Sequence, residues 1–119
     1  MKKITEAMIQ KAVLTYLEWY SKSHKIYYFR SGAGHVALES GRRFKTGKPG
    51  CPNITVCAPR KQPDGSMVGV FYGIEVKTPK GRQSALQKQA ESEIVAAGGV
   101  YRIIRNLGEL KELFPMDKG

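Results

Sequence analysis

The order of the hydrophobic patterns along the chain is the feature that most limits its fold. Near the start, five apolar side chains recur at helical spacing, about 100° apart, and share one face: Ile9, Val13, Tyr16, Leu17 and Tyr20. Strand-like segments, a second helical segment, another strand and a short closing helix follow. This order predicts an α/β domain with a central mixed β-sheet flanked by helices. A chain of 119 residues can build one core, so a single domain over 1–119 is expected.

Three helices are predicted, each beginning at a residue that can cap a helix N-terminus: Thr5–Tyr20, Ser84–Ala97 and Asn106–Phe114. The first residue of each range can accept a hydrogen bond from a backbone N–H of the first turn. Ser84 and Gln87 have the spacing of a capping box, in which each side chain bonds the other residue's backbone N–H.

Four strands are predicted from β-rich composition and alternation, at Ile26–Arg30, Asn53–Cys57, Val70–Lys77 and Val100–Arg105. Ser31–Pro52, which contains five glycines, is expected to be a mobile basic loop or a weak hairpin. Pro59–Gly69 carries Pro-Asp-Gly at its centre and is expected to be a turn.

Charge is the strongest compositional signal. Twenty Lys and Arg against ten Asp and Glu give a formal net charge of +10. The chain therefore has either a solvated basic surface or a polyanionic partner, and a phosphate backbone is the commonest such partner. No apolar run approaches the ~20 residues of a membrane span, and the start of the chain lacks the pattern of a signal peptide. Cys51 and Cys57 lack the spacing of a zinc site, so reduced thiols and a cytoplasmic location are expected.

Two groups of basic residues could contact DNA phosphates without reading the bases. The first precedes the second strand and the other precedes the second helix, whose N-terminal amides could also bind phosphate: Arg42, Arg43, Lys45, Lys48, and Lys80 with Arg82. A solvated basic surface is the alternative for both groups.

Glu75 and Lys77 lie two residues apart on a predicted strand, so their side chains share one face. A carboxylate there can hold Mg²⁺, which prefers hard oxygen ligands. A neighbouring lysine can orient or deprotonate an attacking water, or neutralise charge on a phosphate. Asn53 begins the neighbouring strand on a face that could meet Glu75, but its amide offers only a neutral oxygen. The alternative for the first pair is an ordinary ion pair on a solvated face.

Glu6 and Gln10 fall within the apolar arc of the first helix. Burying an unpaired carboxylate is costly. Either both side chains are solvated at the fraying end of this helix, or the helix end faces a polar site.

Several short motifs together resemble the VRR-NUC family of virus-type replication-repair nucleases, a branch of the PD-(D/E)XK superfamily. They cover nearly the whole chain: Glu6-x-x-Ile9-Gln10, Gly50-x-Pro52-x-Ile54, Ile74-Glu75-Val76-Lys77, Gly81-Arg82-Gln83-Ser84 with Gln87, and Gly98-Gly99-x-Tyr101. The length suggests the stand-alone phage or bacterial form. The resemblance implies a restriction-endonuclease-like fold and a location in a bacterium or in the bacterial host of a phage.

The resemblance also implies roles for particular residues. Position 53 and Glu75 would be carboxylate ligands of Mg²⁺ or Mn²⁺, joined by the Val76 carbonyl and by Glu6 through water. Lys77 would be the catalytic lysine. Gln87 would face the site from the second helix and Gln10 from the first, although Gln87 could instead serve only the capping box.

Stand-alone members of this family are homodimers that resemble Holliday-junction resolvases, so branched DNA is the implied substrate. Asn53 stands where the family has an aspartate, which predicts impaired cleavage with DNA binding retained. Two alternatives stay open: an inactive module that binds branched DNA, and a basic subunit of a phage replication complex without a metal site. The first helix, with Trp19 and Tyr20, is the candidate dimer interface.

Overall fold

The fold follows the predicted order of elements in a computed structural model that describes residues 3–32, 34–37 and 39–116. Only the backbone is described for 34–37 and 43–46. The helices are α1 (Glu6–Ser21), α2 (Ala85–Ala96) and α3 (Leu107–Leu113). No helix in these ranges is long and apolar enough to cross a membrane.

All three predicted helix caps are present. The Thr5 hydroxyl accepts a hydrogen bond from the Met8 N–H at 3.2 Å, and the Asn106 side chain caps α3 by accepting one from the Glu109 N–H. Each bond satisfies a backbone donor that has no partner within its own helix. Local chemistry therefore fixes where these helices begin, as the sequence predicted.

Four strands form the central sheet in the order β1-β4-β5-β6: β1 (Tyr27–Arg30), β4 (Ile54–Lys61), β5 (Met67–Val76) and β6 (Val100–Ile104). The β1–β4 and β4–β5 pairs are antiparallel and the β5–β6 pair is parallel. The predicted α/β class with a central mixed sheet is confirmed. Of the two predictions for 31–52, the hairpin is confirmed, as β2 (Gly34–Ala37) pairs with β3 (Arg43–Thr46).

The prediction that Pro59–Gly69 is a turn is wrong in its extent. β4 continues to Lys61 and β5 begins at Met67, so only the segment between them turns. Pro59 is paired with Gly69 inside the ladder, whereas the pairing of β1 with β4 reaches only as far as Tyr27 opposite Cys57. A proline is tolerated there because β4 has become an edge strand on that side.

The two faces of the sheet are covered differently. α1 and α3 pack against one face, where the core contains Val13, Leu17, Ile54, Val56, Ile74, Val76, Ile104 and Leu110. On the other face α2 approaches β5 so closely that a Cβ on Gly73 would lie 3.2 Å from the Ile94 side chain and 2.7 Å from Pro52. Glu75 lies two residues after Gly73 on β5, so its side chain is on the same face and points toward α2.

Candidate active site

Strand register places Glu75 and Asn53 together. The β4–β5 ladder pairs Ile54 with Ile74, and continuing it by one residue sets Asn53 opposite Glu75. Glu75 is only 1% exposed and Lys77 only 7%. The alternative of an ion pair on a solvated face is therefore wrong, because both charged side chains are buried.

Neutral hydrogen-bond donors hold the Glu75 carboxylate. Its Oε2 accepts a hydrogen bond from Gln87 Nε2 at 3.0 Å, and its Oε1 accepts one from the Tyr101 hydroxyl at 3.4 Å. Gln83 Nε2 in turn donates to that hydroxyl at 3.2 Å and to Glu91 Oε1 at 3.0 Å. This network orients the carboxylate without neutralising its charge.

Gln87 serves the helix cap and the site at once. Its Oε1 accepts from the Ser84 N–H at 2.8 Å, and the Ser84 hydroxyl accepts from the Gln87 N–H at 3.2 Å. The capping box fixes the side chain so that its Nε2 points at Glu75. Gln87 therefore forms the predicted capping box and also contacts Glu75, and its role in a catalytic site stays a prediction.

Asn53, which directly precedes β4, forms hydrogen bonds with β5 and with α1. Its Oδ1 accepts a hydrogen bond from the Val76 N–H at 2.7 Å, which extends the β4–β5 ladder beyond its last backbone pair. Its Nδ2 donates to Gln10 Oε1 on α1 at 3.3 Å. Gln10, near the start of α1, therefore faces the polar side chain of Asn53, which agrees with the interpretation that this part of the helix faces polar groups.

Burial controls the ionisation of Glu75. Desolvation raises the pKa of this carboxyl from 4.5 to about 7, the positive charge of Lys77 opposes the rise, and the negative charge of Glu6 adds to it. Glu6, although exposed, is thus near enough to influence the site. A divalent cation beside Glu75 would favour the ionised form, because metal ligands must be deprotonated.

The donor atoms match Mg²⁺ or Mn²⁺ in kind but not in number. Glu75 supplies a buried carboxylate, Asn53 an amide oxygen that already accepts from Val76, and Glu6 a carboxylate nearby. Among the described residues, no group of three or more His, Cys, Asp or Glu side chains could hold a metal ion. An aspartate at position 53 would place a second carboxylate at the centre and complete a two-carboxylate site.

Two residues that the sequence analysis did not assign to the site support it. Arg105 donates from Nη1 to the carbonyls of Thr78 and Gly81 at 2.6 and 2.8 Å, so it holds the turn that follows Lys77. Tyr101 bonds Glu75 directly. Alternation on β6 would have shown that Tyr101 shares a face with Glu75, but only if the β5–β6 register were known.

The predicted DNA-binding residues lie on the surface where they are described. Lys80 and Arg82 are exposed in the segment between Lys77 and α2, beside the site. Arg42 is exposed near β3, and Lys48 is exposed and forms an ion pair of 2.8 Å with Glu93 of α2. The side chains of Arg43 and Lys45 lie outside the described residues. Phosphate binding by this group stays a prediction.

The candidate dimer interface on α1 needs a correction. Trp19 is 51% exposed and available for contact, but Tyr20 is only 8% exposed. Tyr20 belongs to the core, where its ring lies 5.8 Å from that of Phe114. An aromatic residue at helical spacing with the core positions is buried for that reason.

Comparisons of the chain with protein families, with curated proteins and with solved structures found no match in any of the three. The likeness to VRR-NUC nucleases therefore rests on the motifs of the sequence.

Proposed function

We propose that this chain is a metal-dependent, structure-selective DNA endonuclease of the VRR-NUC type, with cleavage impaired by Asn53. The observation that supports it best is the burial of Glu75 and Lys77 side by side, opposite Asn53, where α1 meets the start of β4 and the end of β5. Two buried charges are costly to keep in a fold. A carboxyl whose pKa is raised as far as that of Glu75 is typical of functional sites.

Each residue has a role in this proposal. Glu75 binds Mg²⁺ or Mn²⁺, and Gln87 and Tyr101 hold its two oxygens in place. The cation, when bound, supplies charge to stabilise the phosphate and to acidify a water. Lys77 would orient an attacking water or neutralise the scissile phosphate. Gln10 and the Val76 N–H hold the side chain at position 53.

The second candidate function is an inactive module that binds branched DNA. It is favoured by the hydrogen bonds of Asn53. The Asn53 amide uses its oxygen and its nitrogen in two hydrogen bonds, to Val76 and to Gln10. A carboxylate could not donate the second bond. The present residue thus suits a site that stays ordered without a cation.

Cleavage of a substrate panel tests the proposed activity. The Asn53→Asp variant, with Mn²⁺, would be given labelled four-way junctions, flaps, nicked duplexes and linear duplex of matched sequence. We expect the branched substrates to be cut and the linear duplex to be spared. Equal cutting of linear duplex would contradict structure selectivity, and cutting of none would favour the binding module.

Affinity for DNA is expected to fall steeply with salt, because +10 of net charge acts through phosphate contacts. The logarithm of the association constant should fall against log[salt] with a slope of about −0.9 for each phosphate neutralised. Reversing Arg42 and Arg43 to Glu should make that slope shallower. The matched control reverses Lys22 and Lys111, which are exposed at the far end of α1 and on α3. An unchanged affinity across salt would point to a different partner.

Dimerisation follows from the proposed substrate, since a four-way junction presents two equivalent strands and a twofold dimer presents two equivalent sites. Light scattering at micromolar concentration should give twice the chain mass of 13.2 kDa. Trp19→Glu should give the single mass by placing a charge in the interface. A monomer that binds one junction per chain would shift the substrate toward flaps or nicked ends.

The expected location is the cytoplasm of a bacterium or of a phage-infected bacterial cell.

A further inference from the structure

Three aromatic side chains are exposed on the central sheet and have no role in the site described above. Tyr27 is 72% exposed, Phe29 48% and Phe71 43%. The rings of Tyr27 and Phe29 lie 6.2 Å apart on β1, an outer strand of the sheet. Leaving large apolar surface in water is unfavourable, and an exposed apolar patch commonly marks a binding surface.

Strand register puts these three side chains on one face. Tyr27 on β1 is paired with Cys57 on β4, and Cys57 is paired with Phe71 on β5. Phe29 lies in the following row, opposite Thr55. We call Tyr27, Phe29 and Phe71 the aromatic platform.

The aromatic platform lies on the same face as Glu75. Phe71 and Glu75 are four residues apart on β5, which is about 13 Å at ~3.3 Å per residue, and side chains alternate between faces. α2 covers part of this face, where Ile94 approaches Gly73. On the β1 side of the same face, Tyr27 and Phe29 are exposed.

The charge around the aromatic platform suits a polyanion. Lys25 lines the same cleft as Tyr27, and Lys48 lines a cleft with Phe71. Lys48 is in an ion pair with Glu93, which cancels both charges, so the attraction for a polyanion comes from Lys25 and from the net charge of +10. A second copy of this chain is already assigned to α1 in the proposed dimer, on the other face of the sheet.

We propose that the aromatic platform stacks the unpaired bases of a DNA strand that leads to Glu75. Every base has a π-face, so stacking on exposed rings binds single strands regardless of sequence. A duplex keeps its bases stacked inside and cannot use such a surface. The substrate class is therefore DNA with an unpaired segment next to the cleaved phosphate, and this placement rests on the proposed nuclease function.

The test measures binding in EDTA, so that it depends on neither metal nor cleavage. Fluorescence anisotropy would give the affinity of the unsubstituted chain for an oligothymidylate of about 15 nucleotides and for a duplex of equal length. The Tyr27→Leu/Phe29→Leu variant keeps apolar side chains but lacks the rings. We expect it to bind the single strand at least about fivefold more weakly, since each stacked ring contributes roughly 5- to 150-fold. Its affinity for the duplex should stay the same.

Two control variants keep the result interpretable. Tyr27→Phe retains the ring and should bind the single strand as the unsubstituted chain does. Val95→Ala removes an exposed apolar side chain from α2, outside the aromatic platform, and should also have no effect. The Leu double variant must retain the circular dichroism spectrum of the unsubstituted chain, and single Leu variants replace it if it does not.

Unchanged binding of the single strand, or equal weakening for the duplex, would overturn the aromatic platform. A fall in molecular mass of the Leu variant by light scattering would overturn it as well, because the face would then be a contact between copies. If Asn53→Asp fails to cut any DNA while the Leu variant loses single-strand binding, the platform stands and the nuclease proposal fails. If Asn53→Asp cuts DNA while the Leu variant binds the single strand as well as the unsubstituted chain does, the nuclease proposal stands and the aromatic platform fails.

Discussion

Asn53→Asp is expected to restore divalent-dependent DNA cleavage, with a rise in rate of about a hundredfold or more, because a charged metal ligand contributes several kcal/mol. The fold should accept the change. An aspartate oxygen can keep the bond from the Val76 N–H, and the Gln10 amide can turn to donate to the other oxygen. Single-turnover cleavage of a labelled branched substrate with Mn²⁺ measures the effect.

Lys77→Ala in the Asn53→Asp background should then lower cleavage by about 10²- to 10⁴-fold, the usual contribution of a positioned proton-transfer group. Lys88→Ala, which removes an exposed lysine on α2, is the matched control and should have little effect. Cleavage by the unsubstituted chain at the rate of Asn53→Asp would show that position 53 is not a metal ligand.

The second large effect concerns Glu75 and pH. Its carboxyl has a pKa raised from 4.5 to about 7 in the folded protein, so the folded state binds the proton more tightly than the unfolded state. The stability that this group contributes is fully present below pH 4.5 and is lost as the pH rises through about 7. The loss corresponds to roughly 3 kcal/mol of unfolding free energy.

Urea unfolding near pH 5 and near pH 8 measures this dependence. Glu75→Gln should remove most of it and make the protein more stable at the higher pH, since a neutral amide replaces a buried charge. Glu112→Gln changes an exposed carboxylate on α3 and should leave the pH dependence as it was. A Glu75→Gln variant that keeps the full dependence would show that another group is responsible.

Cation binding and protonation of Glu75 both stabilise the folded protein, but with opposite dependence on pH. Mn²⁺ binds the ionised carboxylate, so it should raise the melting temperature most above pH 7, where that form dominates. Cleavage by Asn53→Asp should increase with pH through the same range. The proton and the metal compete for Glu75, and both measurements depend on this competition.

Local chemistry made part of this structure predictable. Thr5, Ser84 and Asn106 begin helices because their side chains satisfy nearby backbone N–H groups. The alternation around Glu75 gave the face of its side chain, since the period of a strand is fixed. Both kinds of inference use only neighbours along the chain.

Contacts between distant segments could not be predicted in this way. Pro59 can lie within β4 because β1 begins only opposite Cys57, which no local pattern records. Arg105 reaches the carbonyls after Lys77 only because β6 lies parallel to β5. The bond between Asn53 and Gln10 likewise needs the packing of α1 across the sheet.

Calorimetric titration with Mn²⁺ tests most directly whether Glu75 and position 53 form a metal centre. The unsubstituted chain, Asn53→Asp and Asn53→Asp/Glu75→Gln would be compared at a pH near 8, where Glu75 is ionised. Asn53→Asp should bind one Mn²⁺ per chain at least about tenfold more tightly than the unsubstituted chain, or ~1.4 kcal/mol, because a second anion attracts the cation. The double variant should lose that site. Equal affinity in all three proteins, or no binding by Asn53→Asp, would contradict a metal centre at Glu75.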